Sequence, residues 1–245
     1  MTSAPSVPAG PPPAAGRAGD AGGPDGPAGR PPRRRRALRI AGIAFLVAGV
    51  GILLWIAWQL WVTTWLSQRH QAEIIGSLEQ GWSQGQQEVR VDVGTGIGIL
   101  RVPRFGADYE VPVLAGTSDD VLAAGVGHQD GTAMPGERGN MVLAGHVITH
   151  GEPFRHLKDL RVGDEVDLQT AQGTYHYVID TPGDALTVDF SAGWVLDPRP
   201  VNPDPAGVDP TDDPRLLTLL TCAELFHTDL RTVVFGHQTG FDPAG

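Results

Sequence analysis

A single cysteine, Cys222, occurs in the 245 residues, so the chain can form neither an intramolecular disulfide nor a cysteine-rich metal centre. No D-x-[DN]-x-[DN]-G calcium loop, H-E-x-x-H zinc motif or GKS/GKT phosphate loop is present, and no metal or cofactor is expected. Positive charge is scarce outside the N-terminus. Residues 1–39 hold seven arginines against Asp20 and Asp25, whereas residues 40–245 hold 11 basic and 26 acidic side chains. An acidic surface repels phosphates, which excludes a nucleic-acid partner. Internal repeats are absent. The N-terminal segment does not read as a short secretory signal: its length and its arginine run do not fit one, and no A-x-A-like site follows the apolar run at a suitable place.

The first segment is rich in Pro, Gly and Ala and ends in Arg33-Arg34-Arg35-Arg36, a composition that reads as a disordered tail over 1–39. From Ile40 to Trp58 no residue is charged, and the apolar character continues to Leu66. About 20 such residues cross a bilayer as a helix, which predicts a transmembrane span over 40–66 in contact with lipid. The basic run before it and the cluster Trp55, Trp58, Trp61 and Trp65 near its far end place the N-terminus in the cytoplasm and the rest outside. Residues 67–95, polar and Gln-rich, read as a stalk, helical at first and then flexible.

Beyond the stalk the pattern is mainly β. Ile97–Val102, Tyr109–Leu114, Met141–Gly145, Glu165–Gln169, Thr174–Ile179, Leu216–Thr221 and Thr232–Gly236 are short apolar or β-branched runs bounded by Gly, Pro and Asp. Thr117-Ser118-Asp119-Asp120 offers capping chemistry for one short helix, and Pro153 can open another that buries Phe154, Leu157 and Leu160 before Gly163. Seven or eight strands with few helices predict a closed or nearly closed β-barrel. Between two strands lies a loop, Asp197 to Pro214, with six prolines and five aspartates; long irregular loops in compact domains are usually functional or disordered.

A lone cysteine is most often a small buried hydrophobe. Here Cys222 ends the apolar run Leu216–Thr221, at a strand end where a substrate can approach, and Arg231 opens the next strand. If the two strands pair, thiol and guanidinium meet, and a nearby cation favours the nucleophilic thiolate. Met141–Gly145 repeats the grammar and delivers His146 as an acid/base group. His128 and His237 are its rivals, and His70, His150, His156, His176 and His227 lie in or beside polar stretches, where hydrogen bonding is the plainer role.

Thr218-Leu219-Leu220-Thr221-Cys222 matches the T-L-x-T-C signature of sortases, Arg231 follows at the family's spacing, and Pro135 to His146 resembles the segment that carries the family's catalytic histidine. His150-Gly151-Glu152-Pro153-Phe154 and Gly163-Asp164-Glu165 also fit, and the resemblance, over about 95–238, is nearest to class E of actinobacteria. It implies an eight-stranded sortase barrel as the catalytic domain over 96–238, followed by a short tail over 239–245. It also implies Cys222 as nucleophile, His146 as acid/base and Arg231 as the oxyanion or substrate-holding group. Thr218, Leu219 and Thr221 are expected to contact substrate, and the Asp197–Pro214 loop to shape its groove. The implied partners are proteins with a C-terminal LAxTG-like sorting signal, cut between Thr and Gly, and an amine acceptor on a peptidoglycan precursor or pilin. The sequence departs from class E after the cysteine: Ala223 to Asp229 replaces a segment that often holds a proline, and Glu224 and Asp229 compete there for Arg231. Two other readings are a cysteine hydrolase without acceptor transfer and a non-catalytic anchored β-domain.

Overall fold

The structure, a computed structural model, describes residues 33–222 and 230–245. The tail over 1–32 and the residues Glu224, His227 and Asp229 named above lie outside that range. The chain divides into two compact units, 1–51 and 52–245. A single helix, α1, runs from Arg33 to Ser83. Arg33 to Arg39 are therefore helical rather than part of an irregular tail. Within α1, Arg35–Ile56 is long and apolar enough to cross a bilayer, with mean hydropathy 2.3 and no buried residue. A helix of this kind serves as a membrane anchor or a signal.

Among its described residues the second unit contains ten strands: β1 (Val89–Val91), β2 (Gly94–Arg101), β3 (Glu110–Ala115), β4 (Val126–His128), β5 (Gly139–His146), β6 (Glu165–Thr170), β7 (Gly173–Ile179), β8 (Thr187–Asp189), β9 (Arg215–Cys222) and β10 (Leu230–Pro243). Eight of them close a ring in the order β2-β3-β4-β5-β9-β10-β7-β6, with β6 returning to β2 through Ile99↔Gln169 and Leu100↔Leu168. This is the expected eight-stranded barrel, and closure leaves no unpaired edge within it. β1 adds to β2 and β8 to β10. The pairs β3–β4 and β5–β9 are parallel and the others antiparallel.

Side chains alternate along a strand, and in β5, β9 and the first half of β10 both faces are buried, which is why these segments read as continuous apolar runs. Met141, Leu143, Leu217, Leu219 and Val234 enter the barrel cluster. Val142, Ala144, Leu220, Val233 and Phe235 face the other way, under Leu186, Val188 and Val195. β6 shows the half-exposed pattern instead, with Val166 and Leu168 inward and the polar residues between them outward.

The segment read as a stalk is built into this unit. α1 continues to Ser83, and its stripe Ile74, Ile75 and Leu78 packs with Val89, Ile99, Leu114 and Val121 over the outside of β2 and β3. Leu78 is fully buried, which is worth about 1.5–3 kcal/mol. Its approach requires Gly96, where a Cβ would lie 2.1 Å from Leu78 Cδ2. The residues after 238 also join the sheet, since β10 pairs with β7 as far as Pro243↔Gly173. A second helix, α2 (Asp119–Ala124), starts after Ser118, whose side chain makes no capping bond. The helix expected after Pro153 is reduced to turns and a 3-10 segment, Leu157–Asp159, although Phe154, Leu157 and Leu160 are buried as the pattern requires.

Candidate active site

β5 and β9 run side by side, parallel and without a register break, from Gly139↔Arg215 to His146↔Cys222. The two chemically competent residues therefore end adjacent strands at one rim of the barrel. β10 lies on the other side of β9, antiparallel, with Val233↔Leu220. The pairing ends at that pair; one residue further on, the Thr232 amide donates to Thr221 Oγ1 at 3.0 Å, and Arg231 and Cys222 are the next residues of the two strands. The backbone thus pairs His146 with Cys222 and leaves Arg231 two residues beyond the last β9–β10 pair.

The Arg231 guanidinium carbon lies 3.6 Å from the centroid of the Phe190 ring, and β8, which precedes Phe190, pairs with β10 through Arg231↔Val188. An aromatic face attracts and orients a guanidinium. Phe190 and Leu230 are both exposed beside it, so the rim carries apolar surface next to the positive charge. Nothing in the sequence pattern singled out Phe190; its position follows from the three-residue strand β8, too short to show a period.

The strand end that carries His146 is fixed by Phe154. The Phe154 amide donates to the His146 carbonyl at 2.8 Å, and its ring lies so close to Gly145 that a Cβ there would stand 2.8 Å from Phe154 Cδ2. His146 is half-buried, and burial pushes its pKa below the ordinary value of about 6.5. His150 pushes in the same direction, its ring centroid 5.2 Å away, while Asp119 opposes both. The result is an imidazole that releases its proton readily.

The rival histidines sit elsewhere. His128 is buried on β4 opposite Leu143, and its ring is bound to the Ala133 carbonyl at 2.9 Å. His237 pairs with Leu216, six residues and about 20 Å down β9 from Cys222, and its Nδ1 is bound to Asp180 at 2.8 Å. Thr218 and Leu219, expected to touch substrate, have no exposed surface. Leu219 belongs to the barrel cluster, and Thr218 Oγ1 donates to Asn140 Oδ1 at 2.7 Å. Thr221 is likewise buried, with its hydroxyl on the Thr232 amide. Alternation explains this: every residue of a strand inside a covered barrel meets one packed face or the other. Among the described residues no group of three or more His, Cys, Asp or Glu side chains is placed to hold a metal ion.

The chain is similar in sequence and fold to known proteins. The sortase-domain family model matches residues 100–239. Sortase SrtE1 of Streptomyces coelicolor is 34% identical over 207 residues, which cover 81% of this chain and 56% of the relative. Sortase D of Bacillus subtilis is 34% identical over 97 residues, 40% of this chain and 46% of the relative. The chain thus spans about half the length of these two curated relatives. Among solved structures, sortase E from Streptomyces avermitilis is 34% identical with a TM-score of 0.52, covering 60% of this chain and 90% of that one. Sortase E1 from Streptomyces coelicolor, solved with a tripeptide in its active site, is 34% identical with a TM-score of 0.51 and the same coverage.

Proposed function

This chain belongs to the sortase family of cysteine transpeptidases, and from that premise we propose that it is a membrane-anchored enzyme in which Cys222, His146 and Arg231 transfer an acyl group from a sorting signal to an amine. The observation that carries the reading is the common end of β5 and β9 at His146↔Cys222. Helix α1 is the anchor, with the basic run on the cytoplasmic side and the barrel outside.

In the first step the Cys222 thiolate attacks the Thr carbonyl carbon of an LAxTG-like signal. The carbonyl π pair moves to oxygen, and Arg231, steadied on Phe190, stabilises the oxyanion; a preorganised contact of this kind is typically worth about 3 kcal/mol. As the C–N bond to Gly breaks, His146 gives its proton to the leaving amine. The acyl group is then held as a thioester on Cys222. In the second step the acceptor amine attacks the thioester, His146 takes the amine proton back, and the thiolate leaves with the new amide formed. The low pKa of His146 suits this alternation, since the ring must return its proton with little resistance. The acceptor is an amine of a peptidoglycan precursor or of a pilin subunit. The exposed apolar surface of Phe190 and Leu230 supports a place for the signal's apolar residues beside Arg231.

The test is to incubate the full chain in detergent with an LAxTG peptide, with and without an amine such as triglycine. The expected product is the amine-linked peptide, absent in Cys222→Ala. Free acid alone in the presence of the amine would make the chain a hydrolase, and the same products from Cys222→Ala would remove Cys222 from the chemistry.

A further inference from the structure

Shortly after His146 the backbone passes through consecutive left-handed residues: Thr149 at φ 72°, His150 at 51°, Gly151 at 80° and Glu152 at 53°. Only glycine takes this region without steric penalty, so a loop with three non-glycine residues there holds its shape only where its surroundings hold it. Within the loop the Glu152 amide donates to the Thr149 carbonyl at 2.9 Å, and on the barrel side Tyr109 Oη donates to the Pro153 carbonyl at 2.6 Å. On the other side stands Gln71 of α1, buried to 7% exposure. Its Nε2 donates to the His150 carbonyl at 3.3 Å, and it lies against Gly151, where a Cβ would come within 2.6 Å of Nε2. The loop so held places the His150 ring 5.2 Å from that of His146, with Thr149 Oγ1 2.9 Å from His150 Nδ1.

We propose that Gln71 is a positioning residue: it clasps the 149–152 loop to helix α1 and so holds His150 beside His146. The helix that anchors the enzyme then also shapes its active site, a role that rests on His146 being the acid/base group. Other charged groups bear on the pair from the elements packed around it. Asp119, at the start of α2, favours the protonated form of His146. Asp120 and His70 line one cavity with His150, and His70 is itself held by Asp92 at 3.1 Å. Within the loop, Glu152 and Arg155 pair with each other at 2.6 Å. When the clasp opens, the repulsion from His150 is relieved while Asp119 remains, so His146 keeps its proton to higher pH.

The experiment compares the full chain in lipid nanodiscs with Gln71→Met, which fills the same space without a donor, and with His150→Ala, which removes the neighbour and leaves the helix untouched. Three quantities are read: the pH midpoint of the His146 ring resonance, hydrogen exchange of the Glu152 and Phe154 amides, and kcat and KM for the peptide. In Gln71→Met the midpoint should move up, exchange at the two amides should quicken by about 2- to 10-fold, the worth of one hydrogen bond, and kcat should fall with KM little changed. His150→Ala should raise the midpoint as well. An unshifted midpoint and unchanged exchange in Gln71→Met would overturn the clasp, and a midpoint unmoved in His150→Ala would overturn its link to His146. His146→Gln keeps the two ideas apart. If that variant turns over normally while Gln71→Met shifts the midpoint, the clasp stands and the acid/base role falls.

Discussion

The imidazoles of His146 and His176 respond to pH in opposite senses. Burial and His150 lower the pKa of His146, so the unfolded chain binds its proton more tightly than the folded one. The stability from this group is complete above about pH 6.5 and is lost as pH falls through the folded pKa. His176 is raised, first by its hydrogen bond to Asp167 and then by Asp242, so its contribution is complete below about pH 6.5 and is lost as pH rises through its folded pKa. His146→Gln should therefore gain stability over the native chain as pH is lowered from 7 to 5, while His176→Gln should lose it. Thermal melts across that range check both, and parallel curves for His146→Gln and the native chain would contradict the burial argument. These residues also show what could be read beforehand. His146 was a candidate because it ends an apolar strand. The residue pattern left His128 and His237 as rivals, only the family-like segment Pro135 to His146 favoured His146, and the places of the three on the barrel depend on pairing register, which no single segment contains. His150 stood out only within the family-like stretch His150 to Phe154, which says nothing of its distance from His146.

Among the elements, the long strands were legible and the short ones were not. β5, β9 and the first half of β10 are apolar on both faces and bounded by Gly, Pro or Asp, whereas β4 and β8 have three residues each and offer no period to count. α1 was half legible. Its apolar stretch stood out, but beyond it the core stripe of Ile74, Ile75 and Leu78 is diluted by Gln, Glu and Ser, and composition alone made the segment look like a linker. The partners of that stripe lie in β2 and β3, so tertiary packing and not local propensity decides where the helix ends. The β5–β9 seam, which aligns the candidate catalytic pair, carries a buried polar link across its backbone ladder. Thr218 Oγ1 donates to Asn140 Oδ1, and Asn140 Nδ2 donates to the Val195 and Asp197 carbonyls at 3.0 and 3.1 Å. Thr218→Val keeps the shape of the side chain and leaves Asn140 Oδ1 buried without that donor. The expected loss is about 1–3 kcal/mol of stability, seen as a lower denaturation midpoint. An unchanged midpoint would mean that the seam is held by its backbone ladder alone.

At the level of the whole chain, family and fold were legible because the signature residues lie on strands whose order the barrel dictates. The implied catalytic set spans three segments, yet each member sits at the start or end of its own apolar run, and closure of the barrel brings those points to one rim. The proposed reaction passes through a covalent acyl-enzyme on Cys222 that His146 and Arg231 help to form. Its most direct test is intact-protein mass spectrometry of the full chain mixed with an LAxTG peptide and no acceptor, sampled before hydrolysis completes. The expected result is a mass increase equal to the acyl fragment, lost on adding an amine, absent in Cys222→Ala and slow to appear in His146→Gln and Arg231→Lys. An adduct of that mass on Cys222→Ala, or peptide cleaved by the native chain with no adduct at any time, would contradict it.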